Sequence, residues 1–230
     1  MKIKSHIPNT ITLLNLLSGV IGIIWVINGN IVSGAYFIIL AAVFDFFDGF
    51  AARLLHVQGE LGKQLDSLAD LVSFGVLPGM VLFQMAKVST QIEWVPYLTL
   101  IVPLLSAVRL AKFNLDTRQS DKFIGLPTPA NALFISTLPF FAIQWPWVGT
   151  WLTSPLFLVG IAWIFSILLL LELPLIALKF KSYAFVANKF RYALLALGLS
   201  LILLFGLAGI PIVILAYLGL SIVENGISQE

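Results

Sequence analysis

The sequence predicts an all-α, polytopic membrane helical bundle, and three observations carry that prediction. Of 230 residues, 60% are hydrophobic and only 10% are charged, with a mean hydropathy of +1.02; too few polar side chains are present to clothe a water-facing globular surface. No Asp, Glu, Lys or Arg occurs from Ser5 to Phe44, nor from Phe123 to Leu171, and each run is long enough for two crossings of about 20 residues joined by a turn. Finally, the cations segregate. Threading the apolar runs with the N-terminus inside puts Lys2, Lys4, Arg53, Lys63, Arg109, Lys112, Arg118, Lys122, Lys179, Lys181, Lys189 and Arg191 on one side and Lys87 on the other, as the cytoplasmic preference of Lys and Arg requires.

Taken in order, eight spans are expected at about 8–28, 32–55, 63–86, 94–113, 129–146, 154–177, 190–206 and 209–225, each boundary good to about four residues. The first follows MKIKSHIPNT, which has no small-residue cleavage site after its apolar stretch, so a retained span is expected and not a removed signal peptide. The second runs toward the cytoplasm and ends in FDFFDGFAAR; the third starts there, and the fourth returns to end near Arg109, Lys112 and Asn114. GLPTPANA sets a rigid start to the fifth, with Pro129 near its first helical position. The uncharged stretch from Tyr192 to Val223 is short for two full crossings and is broken at AGIP, so the last two spans form a thin or re-entrant hairpin. Trp94, Trp145, Trp147 and Trp151 collect on the side away from the cations, as in an interfacial aromatic belt. The chain has no cysteine, which excludes disulfides and thiolate metal sites, and no soluble domain or nucleic-acid partner is expected.

Two aspartates three residues apart do not belong at the end of an apolar helix without a reason. Asp45, Asp48, Gly49, Ala52 and Arg53 follow i, i+3, i+4, i+7, i+8 spacing and share one face of the second span; Gly62, Asp66 and Asp70 form an i, i+4, i+8 stripe on the third. The hairpin topology brings the two stripes together at the cytoplasmic end. Four carboxylates at that density repel one another, and a carboxylate near lipid costs several kcal/mol, so cations must join them. Arg53 and Lys63 are too few. An all-oxygen site suits Mg²⁺ or Mn²⁺, and two such ions held by shared carboxylates are a recurrent device for gripping a phosphoryl group. Gly49 and Gly62 remove side chains where a nucleotide or diphosphate approaches the backbone. A lone aspartate here could be a capped or paired helix-end residue; four in phase cannot all be. A cation transporter remains open from the residues alone, although its site is expected at mid-membrane.

The run Asp45-x2-Asp48-Gly49-x2-Ala52-Arg53-x8-Gly62-x3-Asp66-x3-Asp70 resembles, without gap or substitution, the signature of the CDP-alcohol phosphatidyltransferases. The resemblance implies transfer of a phosphoalcohol from a CDP-linked donor to a hydroxyl, with release of CMP, in a dimeric six-helix membrane core with the active site at the cytoplasmic face. Residues 1–178 would then form the core and 179–230 an additional hairpin. It implies that Asp45 and Asp66 bridge two metals, that Asp48 binds one and Asp70 the other, and that Asp70 is the catalytic base. Gly49 and Arg53 would contact the CDP moiety, Ala52 and Gly62 leave room for it, and Pro8, Asn9, Thr10 and Ile11 help to bind the donor. IPNTITLLNLLSG, DSLADLVSFGVLPG, RLAKFNLD and FIGLPTPANA are similar to segments of bacterial, membrane-integral members that use serine, which implies CDP-diacylglycerol as donor and L-serine as acceptor in the inner membrane.

Serine carries a carboxylate, an ammonium and the reacting hydroxyl, so its pocket needs fixed cations or amides. Arg109, Lys112 and Asn114 are the candidates. Ordinary lipid-phosphate anchoring is the competing role for Arg109 and Lys112. Glycerol 3-phosphate or an inositol phosphate as acceptor would demand more positive charge. His6 and His56 are expected at the interface, and Glu172 in the sixth span has no evident role.

Overall fold

The computed structural model of the chain describes residues 4, 6–57, 59–116, 123–176, 184–185 and 188–227; Lys2, Arg118, Lys122, Lys179 and Lys181 lie outside these. The two opening helices, α1 (His6–Ile27) and α2 (Ser33–Leu54), form a tight hairpin. Next comes α3 (Glu60–Val88), interrupted by a π-helical stretch at Leu71–Val76. The fourth, α4 (Val95–Leu115), starts with a 3₁₀ turn whose second residue is Pro96. After a two-residue strand β1 (Phe123–Ile124) come α5 (Thr128–Gln144), the short α6 (Pro146–Leu152) and α7 (Pro155–Leu170). Strand β2 (Pro174–Leu175) pairs antiparallel with β1, Phe123 opposite Leu175. The C-terminal helices α8 (Lys189–Phe205) and α9 (Ile210–Ile227) fold back on each other through a 3₁₀ turn at Gly206–Gly209.

At the centre stands α3. Over half of its apolar window, 56%, is buried, against 22–33% for the other long spans, and its Phe74, Leu77, Val81 and Leu82 meet Val102, Ile135 and Leu158 in the core. Small residues on α1 allow the close crossing. The buried stripe Pro8, Thr12, Asn15, Gly19, Gly22, Val26 presents little side-chain bulk, and a Cβ at Gly19 would lie 2.9 Å from the Ser73 Cα. Such small-residue contacts let helices pack where lipid offers no hydrophobic drive between them.

The eight expected helices all occur. Among the described residues, five stretches are long and apolar enough to span, or six if the pair Pro146–Leu152 and Pro155–Leu170, bent by 85°, counts as one. The 17 residues of α5 and 16 of α7 lie at the short end of the lengths that cross a bilayer, and α8 with α9 makes a single 38-residue apolar stretch folded on itself. The bend places Trp147 and Trp151, 70% and 60% exposed, at the end of the bundle opposite the acids, together with the exposed Trp94. That is the amphipathic belt expected there.

Candidate active site

The hairpins bring the C-terminal turns of α2 beside the N-terminal turns of α3, and with them the carboxylates. Asp45, Asp48 and Asp66 each offer an oxygen within 4.8 Å of the others. Asp48 is buried, and its Oδ2 has no hydrogen-bond partner among the described residues. Asp70 lies one turn deeper than Asp66, and its Oδ1 accepts a hydrogen bond of 3.1 Å from Asn15 Nδ2. Asp45, Asp66 and Asp48 all bear on it electrostatically.

These acids line a cavity of about 850 Å³. Its other walls are Pro8, Asn9 and Thr12 of α1, Gly49, Ala52 and Arg53 of α2, Gly62, Lys63 and Ser67 of α3, Arg109, Phe113 and Asn114 of α4, and Pro127, Thr128 and Pro129 at the start of α5. Lys63 is committed elsewhere: its Nζ donates to the Asn114 carbonyl at 2.8 Å, while Asn114 Nδ2 donates to Ser67 Oγ at 2.8 Å. These two bonds tie α3 to α4 at the mouth. Arg109 is only 6% exposed; its Nε donates to the Leu126 carbonyl at 3.2 Å, and its guanidinium lies 5.0 Å from the Phe113 ring centroid. A buried guanidinium cannot snorkel to lipid phosphates, so anchoring does not account for it.

A converging set of carboxylates, one with a buried oxygen that no donor among the described residues satisfies, fits a hard divalent cation. Gly49 and Gly62 line the cavity without being crowded by the protein itself. A Cβ at Gly49 would meet only the Arg53 guanidinium, at 3.5 Å, and one at Gly62 only Asn9 Oδ1, also at 3.5 Å; both are ordinary contacts. The protein's own packing does not require glycine at either position, so the space they leave serves whatever enters the cavity.

The structure gathers most of the residues singled out in the sequence, but not all. Thr10 is exposed, and its Oγ1 donates to the His6 carbonyl; neither Thr10 nor Ile11 lines the cavity. Helix phase explains it, since Pro8, Asn9 and Thr12 share a face that positions 10 and 11 leave. Lys112 lines an adjoining cavity of about 370 Å³, with Glu172, Asp116 and the far side of Arg109 and Phe113. Thr12, Asn15, Ser67 and the two prolines of GLPTPANA are additions. The signal for the first two was the run of polar residues Thr12, Asn15 and Ser18 on one face of an otherwise apolar stretch.

The chain belongs to the CDP-alcohol phosphatidyltransferase family, whose model matches residues 5–176. It is similar to the CDP-diacylglycerol–serine O-phosphatidyltransferase of Bacillus subtilis (strain 168), 35% identical over 140 residues, which are 59% of this chain and 76% of the relative. The enzyme of that name from Mycobacterium leprae (strain TN) is 32% identical over 178 residues, 74% of this chain and 57% of the relative. The archaetidylserine synthase of Methanothermobacter thermautotrophicus (strain Delta H) is 35% identical over 144 residues, 59% of each chain. The chain thus spans somewhat more than half the length of the latter two.

Proposed function

We propose that the protein transfers the phosphatidyl group of CDP-diacylglycerol to the hydroxyl of L-serine, releasing CMP and forming phosphatidylserine. The observation that carries this reading is the acidic cluster opening into a cavity with two glycines that packing does not require. Similarity to bacterial and archaeal proteins named for serine as acceptor supports the choice of nucleophile. The donor's acyl tails would stay in lipid, with its diphosphate beside Asp45, Asp48 and Asp66 and its nucleotide along Gly49, Ala52, Arg53 and Gly62. Divalent ions bound to the four aspartates would neutralise the diphosphate and the departing CMP.

Asp70 is positioned to take the serine hydroxyl proton as the oxygen attacks the β-phosphorus in line. A carboxylate is a weak base for an alcohol, so activation rests largely on orientation and on the local field. Asn15 holds one Asp70 oxygen, which leaves the other for that proton. Arg109 would receive the serine carboxylate, and Asn114 borders the same wall. The cation-rich end, both termini and the site would face the cytoplasm of a bacterial inner membrane, and the protein would act as a homodimer.

The test is CMP release by the purified protein from CDP-diacylglycerol with Mn²⁺ or Mg²⁺, each acceptor supplied in turn. Serine should support turnover, and glycerol 3-phosphate and inositol phosphate should not; EDTA should abolish it. Turnover with a phosphorylated acceptor instead, or metal flux in liposomes without CMP, would refute the assignment.

A further inference from the structure

The region matched by the family model ends at 176, yet the hairpin beyond it reaches back to the active-site wall through an unbroken series of contacts. Arg109 donates to the Leu126 carbonyl, and the residues directly after Leu126 line the cavity. Residues 123–126 do not hold themselves in place. Gly125 has φ +76°, a conformation that favours glycine, and a Cβ there would lie 2.7 Å from the Leu169 carbonyl oxygen. Its N–H donates to the Leu173 carbonyl and that of Leu126 to the Leu168 carbonyl, both at 2.9 Å.

This segment therefore hangs on the end of α7 and on β2. A ladder of two residues, one of them proline, is too short to be stable alone. It is α9 that secures β2. Ser221 is fully buried; its Oγ accepts from the Ile176 N–H at 3.1 Å and donates to the Tyr217 carbonyl at 2.7 Å. Asn225 Nδ2 donates to the Pro174 carbonyl. Tyr217, one turn before Ser221, packs on the core and lies within electrostatic reach of Arg109.

We propose that α9 is a positioning element of the active site: Asn225 and Ser221 fix β2 and the residue after it, β2 and Leu173 fix residues 123–125, these together with the Leu168 carbonyl of α7 set Leu126, and the Leu126 carbonyl holds Arg109 at the cavity wall. Its kinetic part rests on the reading that Arg109 receives the acceptor; its structural part does not. Neither Ser221 nor Asn225 touches substrate.

The experiment uses the full-length protein in detergent with Ser221→Ala, Ser221→Thr and Arg109→Lys. Hydrogen exchange of the 123–126 amides should rise at least tenfold in Ser221→Ala, stay unchanged across 60–70, and recover in Ser221→Thr, which keeps the hydroxyl. The KM for serine should rise about tenfold, as expected when a buried amide loses its acceptor, with the KM for CDP-diacylglycerol unchanged. In the Arg109→Lys background, Ser221→Ala should add nothing further, because both lesions act on one contact. Unchanged exchange at 123–126, or donor and acceptor KM rising together, would overturn the proposal. Should Ser221→Ala not purify as a folded protein, Asn225→Ala decides on the same two readouts. If the wild type shows no turnover with serine, the acceptor reading falls and the exchange comparison alone judges the bracing.

Discussion

Asp70 and Gly49 show how differently two residues of one motif are held. Asp70 is fixed by Asn15, and an amide in its place still offers that donor an oxygen. Asp70→Asn should therefore fold and bind CDP-diacylglycerol while losing at least about 100-fold in turnover, the usual contribution of a positioned base; single-turnover CMP release beside donor binding checks it. Gly49 has only the Arg53 guanidinium over it, at ordinary contact distance. Gly49→Ala should leave thermal stability unchanged or raised, since alanine suits a helix better by up to about 1 kcal/mol, yet raise the KM for CDP-diacylglycerol more than tenfold. The acids were legible because aspartate in an apolar helix is costly and four in phase admit few explanations. The burial of Arg109 was not legible: in sequence it is one more cation at the inner end of a span, and only the carbonyl of Leu126, 17 residues on, distinguishes it from Lys112.

Among the elements, α1 does more than its apolar composition suggests. Its stripe of Pro8, Thr12, Asn15 and Gly19 both closes against α3 and supplies the donor to Asp70, and Ser73 Oγ donates to the Asn15 carbonyl at 2.9 Å. Packing and chemistry share one crossing. Gly19→Val should force the helices apart against Ser73 backbone, at a cost of about 1–3 kcal/mol, and lower activity together with the midpoint of thermal unfolding. Of the four consecutive residues expected to bind the donor, Thr10 and Ile11 do not line the cavity, because consecutive positions on a helix point about 100° apart. The starts and ends of α1 to α4 were readable from charge and proline. The bend between α6 and α7 was not, since Pro146 and Pro155 each mark a helix start without fixing the angle between the helices.

At the scale of the whole molecule, the cation count and the placing of the tryptophans predict the same orientation for the bundle, whereas the number of crossings depends on helix lengths that composition conceals. A chain without cysteine makes the orientation simple to check. A single cysteine introduced at Lys87 should react with a membrane-impermeant maleimide added outside intact cells, and one at Lys63 only after permeabilisation. The π-helical stretch at Leu71–Val76, directly after Asp70, bears on how the chain tolerates changes of length. A helix with one wide turn holds one residue more than a regular α-helix with the same faces in phase. Deleting a single residue there, such as Val72, should let both halves keep their alignment, so that the shortened protein still inserts and unfolds cooperatively. What such a deletion should weaken is catalysis, because closing the wide turn shifts Ser73, whose Oγ holds the Asn15 carbonyl, and so loosens Asn15 on Asp70 while Asp70 itself stays in phase; heat stability retained beside lowered CMP release would mark that turn as kept for chemistry and dispensable for assembly.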